Sequence, residues 1–116
     1  MHSIYSTIYV KGNGNCPSEL FGVICNLLPN YTQKYSMTVE SDSIGITVNN
    51  NPDIFEGSEY EAFPLCLEVD SSGKKMNEYE YIEFLSNLLK SLWSMGISTI
   101  TVSDFELELP HGGCWP

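Results

Sequence analysis

Residues 77–102 decide the fold, and they read NEYEYIEFLSNLLKSLWSMGISTITV. Asn77 is a favourable helix N-cap, and the glutamates at positions 78 and 80 suit the positive end of the helix dipole. An apolar stripe then recurs at helical spacing, formed by Ile82, Leu85, Leu89 and Leu92. Gly96 ends the helix as a C′ residue, and the residues after it predict a strand over 97–102. This segment therefore predicts an amphipathic helix that leads directly into a strand.

The chain before position 77 predicts four more strands and one more helix. Alternating apolar and polar residues indicate strands at 3–10, 35–40, 44–48 and 62–69. Pro17 suits the first turn of a helix, whose apolar residues recur at helical spacing until Pro29 ends it. A turn at 41–43 makes the second and third strands a predicted hairpin, and polar residues 49–60 form a long loop.

The alternation changes phase after the fifth strand. Ile100 and Val102 are apolar at even positions, whereas Phe105, Leu107 and Leu109 are apolar at odd ones. A shift of one residue at positions 103–104 predicts a bulge or bend, with residues 105–109 extending the strand beyond it. On such an extension, the side chains of the glutamates at positions 106 and 108 would share one face of the strand.

The resulting element order, β-α-β-β-β-α-β, predicts an α+β domain. Two helices with one apolar stripe each can cover one face of a mostly antiparallel five-stranded sheet, which gives a two-layer sandwich. The first hypothesis for its topology is a split β-α-β arrangement of ferredoxin-like type with one added strand. A chain of 116 residues with 42% hydrophobic residues has the size and composition of one domain, residues 1–116.

Charge restricts the kind of partner. The chain has 15 acidic residues, five lysines and no arginine, so its formal net charge is −10. This balance argues against binding to nucleic acid, which needs cationic side chains to displace counterions, and against docking on an anionic membrane. A basic protein is the partner that such a surface would attract.

No motif indicates an enzyme, a cofactor or a metal. The four cysteines show no C-x-x-C spacing and the chain has only two histidines, so the zinc templates do not fit. The sequence starts without a signal-peptide pattern and has no apolar run long enough for a membrane span. We therefore expect a cytoplasmic protein with reduced thiols, no cofactor and no catalytic activity.

The candidate partner-binding residues are two acidic clusters and two tyrosines. The clusters lie in the long loop and near the C-terminus, and comprise Glu56, Glu59, Glu61, Asp104, Glu106 and Glu108. Neither is explained by folding, whereas the acidic residues at 78–83 suit a helix N-terminus. Tyr5 and Tyr9 alternate with the apolar residues of the first strand, so they would lie on the sheet face that the helices leave uncovered.

The last third of the chain resembles a known class of small proteins. The helix leads through Gly96 into STITVSDFELELP at 98–110 and then HGG, which looks like the closing helix and strand of bacterial immunity proteins. Those proteins neutralise polymorphic or contact-dependent growth-inhibition toxins. The resemblance implies a non-enzymatic inhibitor made beside its toxin. The acidic charge adds the expectation that the toxin domain is basic and of nuclease type. We expect the inhibitor to be a monomer or homodimer. These families share no catalytic signature, so the resemblance assigns no residue a role.

Three alternatives remain open at this point. The acidic surface would also suit a nucleic-acid mimic that blocks a defence protein. The carboxylates at 104–108 would suit an enzyme, or a small metal-binding or ligand-binding domain. An assembly subunit that adds a sheet edge to another chain is the third.

Overall fold

Two helices and one antiparallel sheet of six strands make up the described part of the computed structural model, which covers residues 4–12, 16–34, 37–52, 57, 60, 62–71 and 76–115. The predicted α+β class is therefore confirmed. The elements in chain order are β1 (Ile4–Lys11), α1 (Pro17–Leu27), β2 (Thr32–Lys34), β3 (Thr38–Glu40), β4 (Ile44–Asn50), β5 (Leu65–Ser71), α2 (Glu78–Ser94) and β6 (Ser98–Ser103). Two short 3-10 helices follow, Glu106–Glu108 and Pro110–Gly113.

The strands lie side by side in the order β2-β3-β4-β5-β1-β6, and every neighbouring pair is antiparallel. Strand β1 is inserted between β5 and β6, so α2 connects two strands that are not neighbours. Strands β1 and β5, which are distant in the sequence, therefore lie side by side within the sheet. Residues on these two strands can form a site that no local motif contains.

The described sheet has six strands, and the prediction of five was wrong. The additional strand, β2, pairs with β3 at one edge of the sheet, and its three residues are polar and exposed. A strand this short and polar shows no apolar alternation, so the sequence carries no signal for it. Of the strand predicted at 35–40, positions 35–36 lie outside the described residues and Thr38–Glu40 form β3. Strand β5 starts at Leu65, three residues later than predicted.

Both helices pack on the same face of the sheet. Their inward side chains, among them Leu20, Ile24, Leu85 and Leu89, form one apolar cluster with inward residues of β1, β4 and β5. The stripe of α2 is rotated slightly from the prediction, because Tyr81 is fully buried while Ile82 is only half-buried. The helix layer thus covers one sheet face, and neither of the two described helices lies on the opposite face.

The predicted ends of α2 are confirmed by their hydrogen bonds. The backbone N–H of Glu80 donates to Asn77 Oδ1 at 2.9 Å, and the backbone N–H of Asn77 donates to Glu80 Oε1 at 3.0 Å. This reciprocal pair is a capping box. Gly96 has a φ of +79°, which is the left-handed conformation that a glycine C′ residue adopts.

The predicted extension of the last strand over 105–109 was wrong. The chain turns after Ser103, whose hydroxyl accepts a hydrogen bond from the backbone N–H of Phe105 at 3.2 Å. Leu107 is 97% exposed, whereas Leu109 is buried. The change of phase therefore marks the end of the strand and the start of 3-10 structure, because a local side-chain hydrogen bond replaces the sheet ladder.

Two further features bear on the expected compartment. Within the described residues, no helix has both the length and the apolarity to cross a membrane. All four cysteines are free, with Cys66 buried, Cys25 half-buried, and Cys16 and Cys114 exposed.

Candidate functional site

The candidate site lies on the sheet face opposite the helices, which we call the open face. Directly opposed residues of antiparallel strands project to the same side of a sheet. Tyr5 lies opposite Asp70, Thr7 opposite Glu68, and Tyr9 opposite Cys66. The open face is defined by these side chains of β1 and β5 and extends across β4. The pairing of β1 with β5 therefore brings tyrosines and carboxylates together in the middle of the sheet.

Glu68 is a carboxylate of this face that accepts a hydrogen bond on each of its two oxygens. The hydroxyl of Tyr5 donates a hydrogen bond of 2.6 Å to Glu68 Oε1, and the side-chain amide of Asn49 donates to Oε2. The hydrogen bond to Glu68 is the main reason that the pKa of Tyr5 is raised, so the phenol remains a donor at neutral pH. The carboxylate is thus held in one orientation by donors on two different strands.

A depression of about 490 Å³ surrounds this carboxylate. Side chains of β1, β4 and β5 line it, including Tyr5, Thr7, Asn49 and Glu68, together with the buried Cys66. This volume is within the range of about 300–1,000 Å³ that is typical of small-ligand pockets. The depression is large enough to receive a long side chain from a partner.

One wall of the site is held by the connection between β4 and β5. Tyr60 stacks on Tyr9 with ring centroids 4.1 Å apart and an interplanar angle of 19°. The side-chain amide of Asn51 donates to the backbone carbonyls of Tyr60 and Phe63, at 3.2 and 2.7 Å. Because Tyr60 covers it, Tyr9 is only 6% exposed, whereas Tyr5 is 50% exposed. Both tyrosines lie on the predicted face, but only Tyr5 offers a substantial accessible surface.

The carboxylates of the open face repel one another. Burial raises the pKa of Asp70, and the nearby charges of Glu40 and Glu68 raise it further. Gly45 lies opposite Asp70, and a Cβ there would come within 3.0 Å of Asp70 Oδ1, so the glycine leaves room for this carboxylate. Three acidic side chains therefore share one side of the sheet.

Little positive charge among the described residues offsets the three acidic side chains of the open face. Lys34 forms an ion pair of 3.3 Å with Glu40, but both side chains are almost half exposed, so the pair contributes little. Lys11 lies over the ring of Phe63, 5.2 Å from its centroid. Among the lysines that the structure describes, none forms an ion pair with Glu68 or Asp70. The centre of the open face is negative.

The acidic residues predicted near the C-terminus lie elsewhere. Asp104, Glu106 and Glu108 are exposed on the turn and 3-10 helix after β6, so the last two do not share a strand face. Within the described residues, no three acidic, histidine or cysteine side chains are grouped closely enough to hold a metal ion. Glu56, Glu59 and Glu61 lie outside the described residues, and their role in binding stays a prediction.

The sequence did carry a signal for the acidic residues that were missed. Leu65, Leu67 and Val69 face the helices, so the residues between them must face outward. Those residues include Glu68, and Asp70 follows in the same alternation. Their importance depends on the pairing of β5 with β1, which the sequence pattern does not specify.

Comparisons with known proteins add no relative to this picture. No protein-family model matches the chain, and neither the curated proteins nor the solved structures include a match. The functional argument therefore rests on the residues of the open face.

Proposed function

We propose that this chain is a non-enzymatic binding protein that neutralises a basic partner, a cognate toxin domain, by direct contact through the open face. The observation that carries the proposal is the central depression, where Glu68 is held in a fixed orientation beside the half-exposed Tyr5. Tyrosine is enriched in interface cores because its ring is apolar and its hydroxyl can bond.

Charge complementarity supports a basic protein as the occupant of this face. The net charge of −10 would accelerate encounter with a cationic surface, and the open-face carboxylates would fix the register of the complex. A nuclease-type toxin domain has the required chemistry, since it must present lysine and arginine side chains to the phosphates of its substrate. An acidic inhibitor would occupy those cationic positions and exclude the nucleic acid.

The proposal includes a ferredoxin-like topology and a cytoplasmic location. The order β4-β5-β1-β6, with α2 crossing between β5 and β6, is compatible with a ferredoxin-like arrangement to which the β2–β3 hairpin is added. An immunity protein of this kind would act in the cytoplasm, where it meets the toxin before or after delivery.

The test is co-expression with the product of the adjacent gene and measurement of the complex by isothermal titration calorimetry. Replacing both Glu68 and Asp70 by lysine should weaken binding by about 30-fold or more, because a desolvated charge pair is worth about 2–5 kcal/mol on truncation. The matched control replaces Glu106 and Glu108 by lysine, which makes the same change of charge on the exposed 3-10 helix.

The control should bind within a few-fold of the unmodified chain, because charges at a rim change affinity little. Circular dichroism of each variant checks that the fold is intact. Failure of the two unmodified proteins to form a complex would contradict the proposal. Equal losses in the two double variants would contradict the assignment of the open face.

A further inference from the structure

We infer that the depression at Glu68 receives an arginine side chain of the partner, whose guanidinium forms two parallel hydrogen bonds with the Glu68 carboxylate and lies against the ring of Tyr5. The inference rests on the proposed function, because a basic protein would supply this side chain. It names the chemical group that the centre of the open face recognises.

The first argument is the unused hydrogen-bonding capacity of Glu68. An ionised carboxylate has about four acceptor positions, two on each oxygen. Tyr5 uses one position on Oε1, and Asn49 uses one on Oε2. With respect to the described residues, each oxygen therefore keeps one acceptor position, and two carboxylate oxygens match the fork of N–H groups on a guanidinium.

The second argument is that the carboxylate is already oriented. Tyr5 and Asn49 lie on different strands of the same sheet, β1 and β4, with β5 between them. Both donate to Glu68, so its side chain has lost its rotational freedom before a partner arrives. Such preorganisation lowers the entropic cost of binding.

The third argument distinguishes arginine from lysine. The Tyr5 ring is 50% exposed and is held beside the carboxylate by its own hydroxyl. A planar guanidinium can stack on such a ring while it bonds a carboxylate, whereas an ammonium acts as a point charge. These 116 residues contain no arginine, so none of them supplies the guanidinium.

The experiment uses the isolated protein and three small probes. The probes are the N-acetyl methylamides of arginine, lysine and citrulline, each titrated into 15N-labelled protein and followed in two-dimensional NMR spectra. The arginine probe should shift the backbone amides of Thr7, Asn49 and Glu68. It should bind about tenfold more tightly than the lysine probe, the ratio expected for one additional charge-assisted hydrogen bond. Citrulline has the same shape without the charge and should not bind measurably.

Variants of the same protein complete the test. Glu68→Gln should abolish binding of the arginine probe, and Tyr5→Phe should weaken it. Glu83→Gln removes one charge from the exposed side of α2 and should leave binding unchanged. The dispersion of each spectrum shows whether the variant is folded. Equal affinity for arginine and lysine, shifts confined to another surface, or full binding by Glu68→Gln would each overturn the inference.

These results separate the inference from the proposed function. A complex with the adjacent gene product that tolerates Glu68→Gln would leave the binding function standing and remove the arginine site. Arginine-specific binding without any complex with that product would support the site chemistry and count against the proposed toxin partner.

Discussion

The hydroxyl of Tyr81 is the most informative single group for the stability of this fold. The side chain is fully buried, and its hydroxyl donates to the backbone carbonyl of Val69 at 2.9 Å. Ser6 Oγ lies 2.9 Å from the Tyr81 hydroxyl oxygen and 2.9 Å from Ser103 Oγ. This chain of hydrogen bonds connects α2 with β5, β1 and β6. Burial is the main cause that raises the pKa of Tyr81 to about 12.

Tyr81→Phe removes this hydroxyl and leaves the ring in place. The Val69 carbonyl and the Ser6 hydroxyl then each lose a buried partner, which should cost about 1–3 kcal/mol of unfolding free energy. For a chain of 116 residues, an unfolding entropy of about 2.1 cal/mol/K per residue makes each kcal/mol worth about 4 °C. The expected decrease in Tm is therefore about 4–12 °C.

Urea and thermal unfolding, followed by circular dichroism, measure this loss. The control is Tyr79→Phe on the same helix, whose side chain is 85% exposed and which should change stability by less than about 0.5 kcal/mol. If the two variants are equally stable, the buried network contributes nothing and the reasoning is refuted.

The pH dependence of stability is an independent test of the contribution of the Tyr81 hydroxyl. The pKa of Tyr81 in the folded state, about 12, is above the ordinary value of 10.0. The protonated hydroxyl therefore contributes its full stabilisation below pH 10, and this is lost as the pH rises through the folded-state pKa. The difference between the unmodified chain and Tyr81→Phe should shrink over that alkaline range.

Three more predictions concern other contacts. Gly113→Ala places a Cβ 2.5 Å from the Cβ of Thr101 at a φ of +78°, and should lower the free energy of unfolding in urea by about 1–3 kcal/mol. The control is Gly96→Ala, because Gly96 has a similar φ and a Cβ there meets no atom within 4 Å. An equally large loss of stability in Gly96→Ala would argue against the clash. Asp70→Asn should raise Tm at pH 7, because the raised pKa of Asp70 means that its ionised form destabilises the fold. The gain in Tm should vanish as the pH falls below the ordinary pKa range of a carboxyl group. A difference in Tm that does not depend on pH would contradict this prediction. Asn77→Ala removes the helix cap and should cost about 1 kcal/mol, with a smaller loss for Asn77→Gly; unchanged urea midpoints would show that the capping box is not stabilising.

Local signals in the sequence determined the helices, the two faces of β1 and the class of the fold. Asn77 and Gly96 define the ends of α2 because a cap depends on a few neighbouring residues. The alternation of β1 correctly assigned Tyr5 and Tyr9 to the face away from the helices, because the side chains of a strand alternate with period two. Net charge is also a property of composition alone, and the proposal of a basic partner rests on it.

The tertiary structure decided what these local signals could not. The hydrogen bond between Tyr5 and Glu68 joins residues 63 positions apart, and it exists only because β1 is inserted beside β5. The stacking of Tyr60 on Tyr9 also depends on the tertiary structure, because the two residues are far apart in the sequence. The alternating residues at 105–109 suggested a strand, but among the described residues the ladder with β1 ends at Ser103 and the chain turns into 3-10 structure. A strand face and a charge can be predicted from adjacent residues, whereas a site assembled from three strands depends on their register.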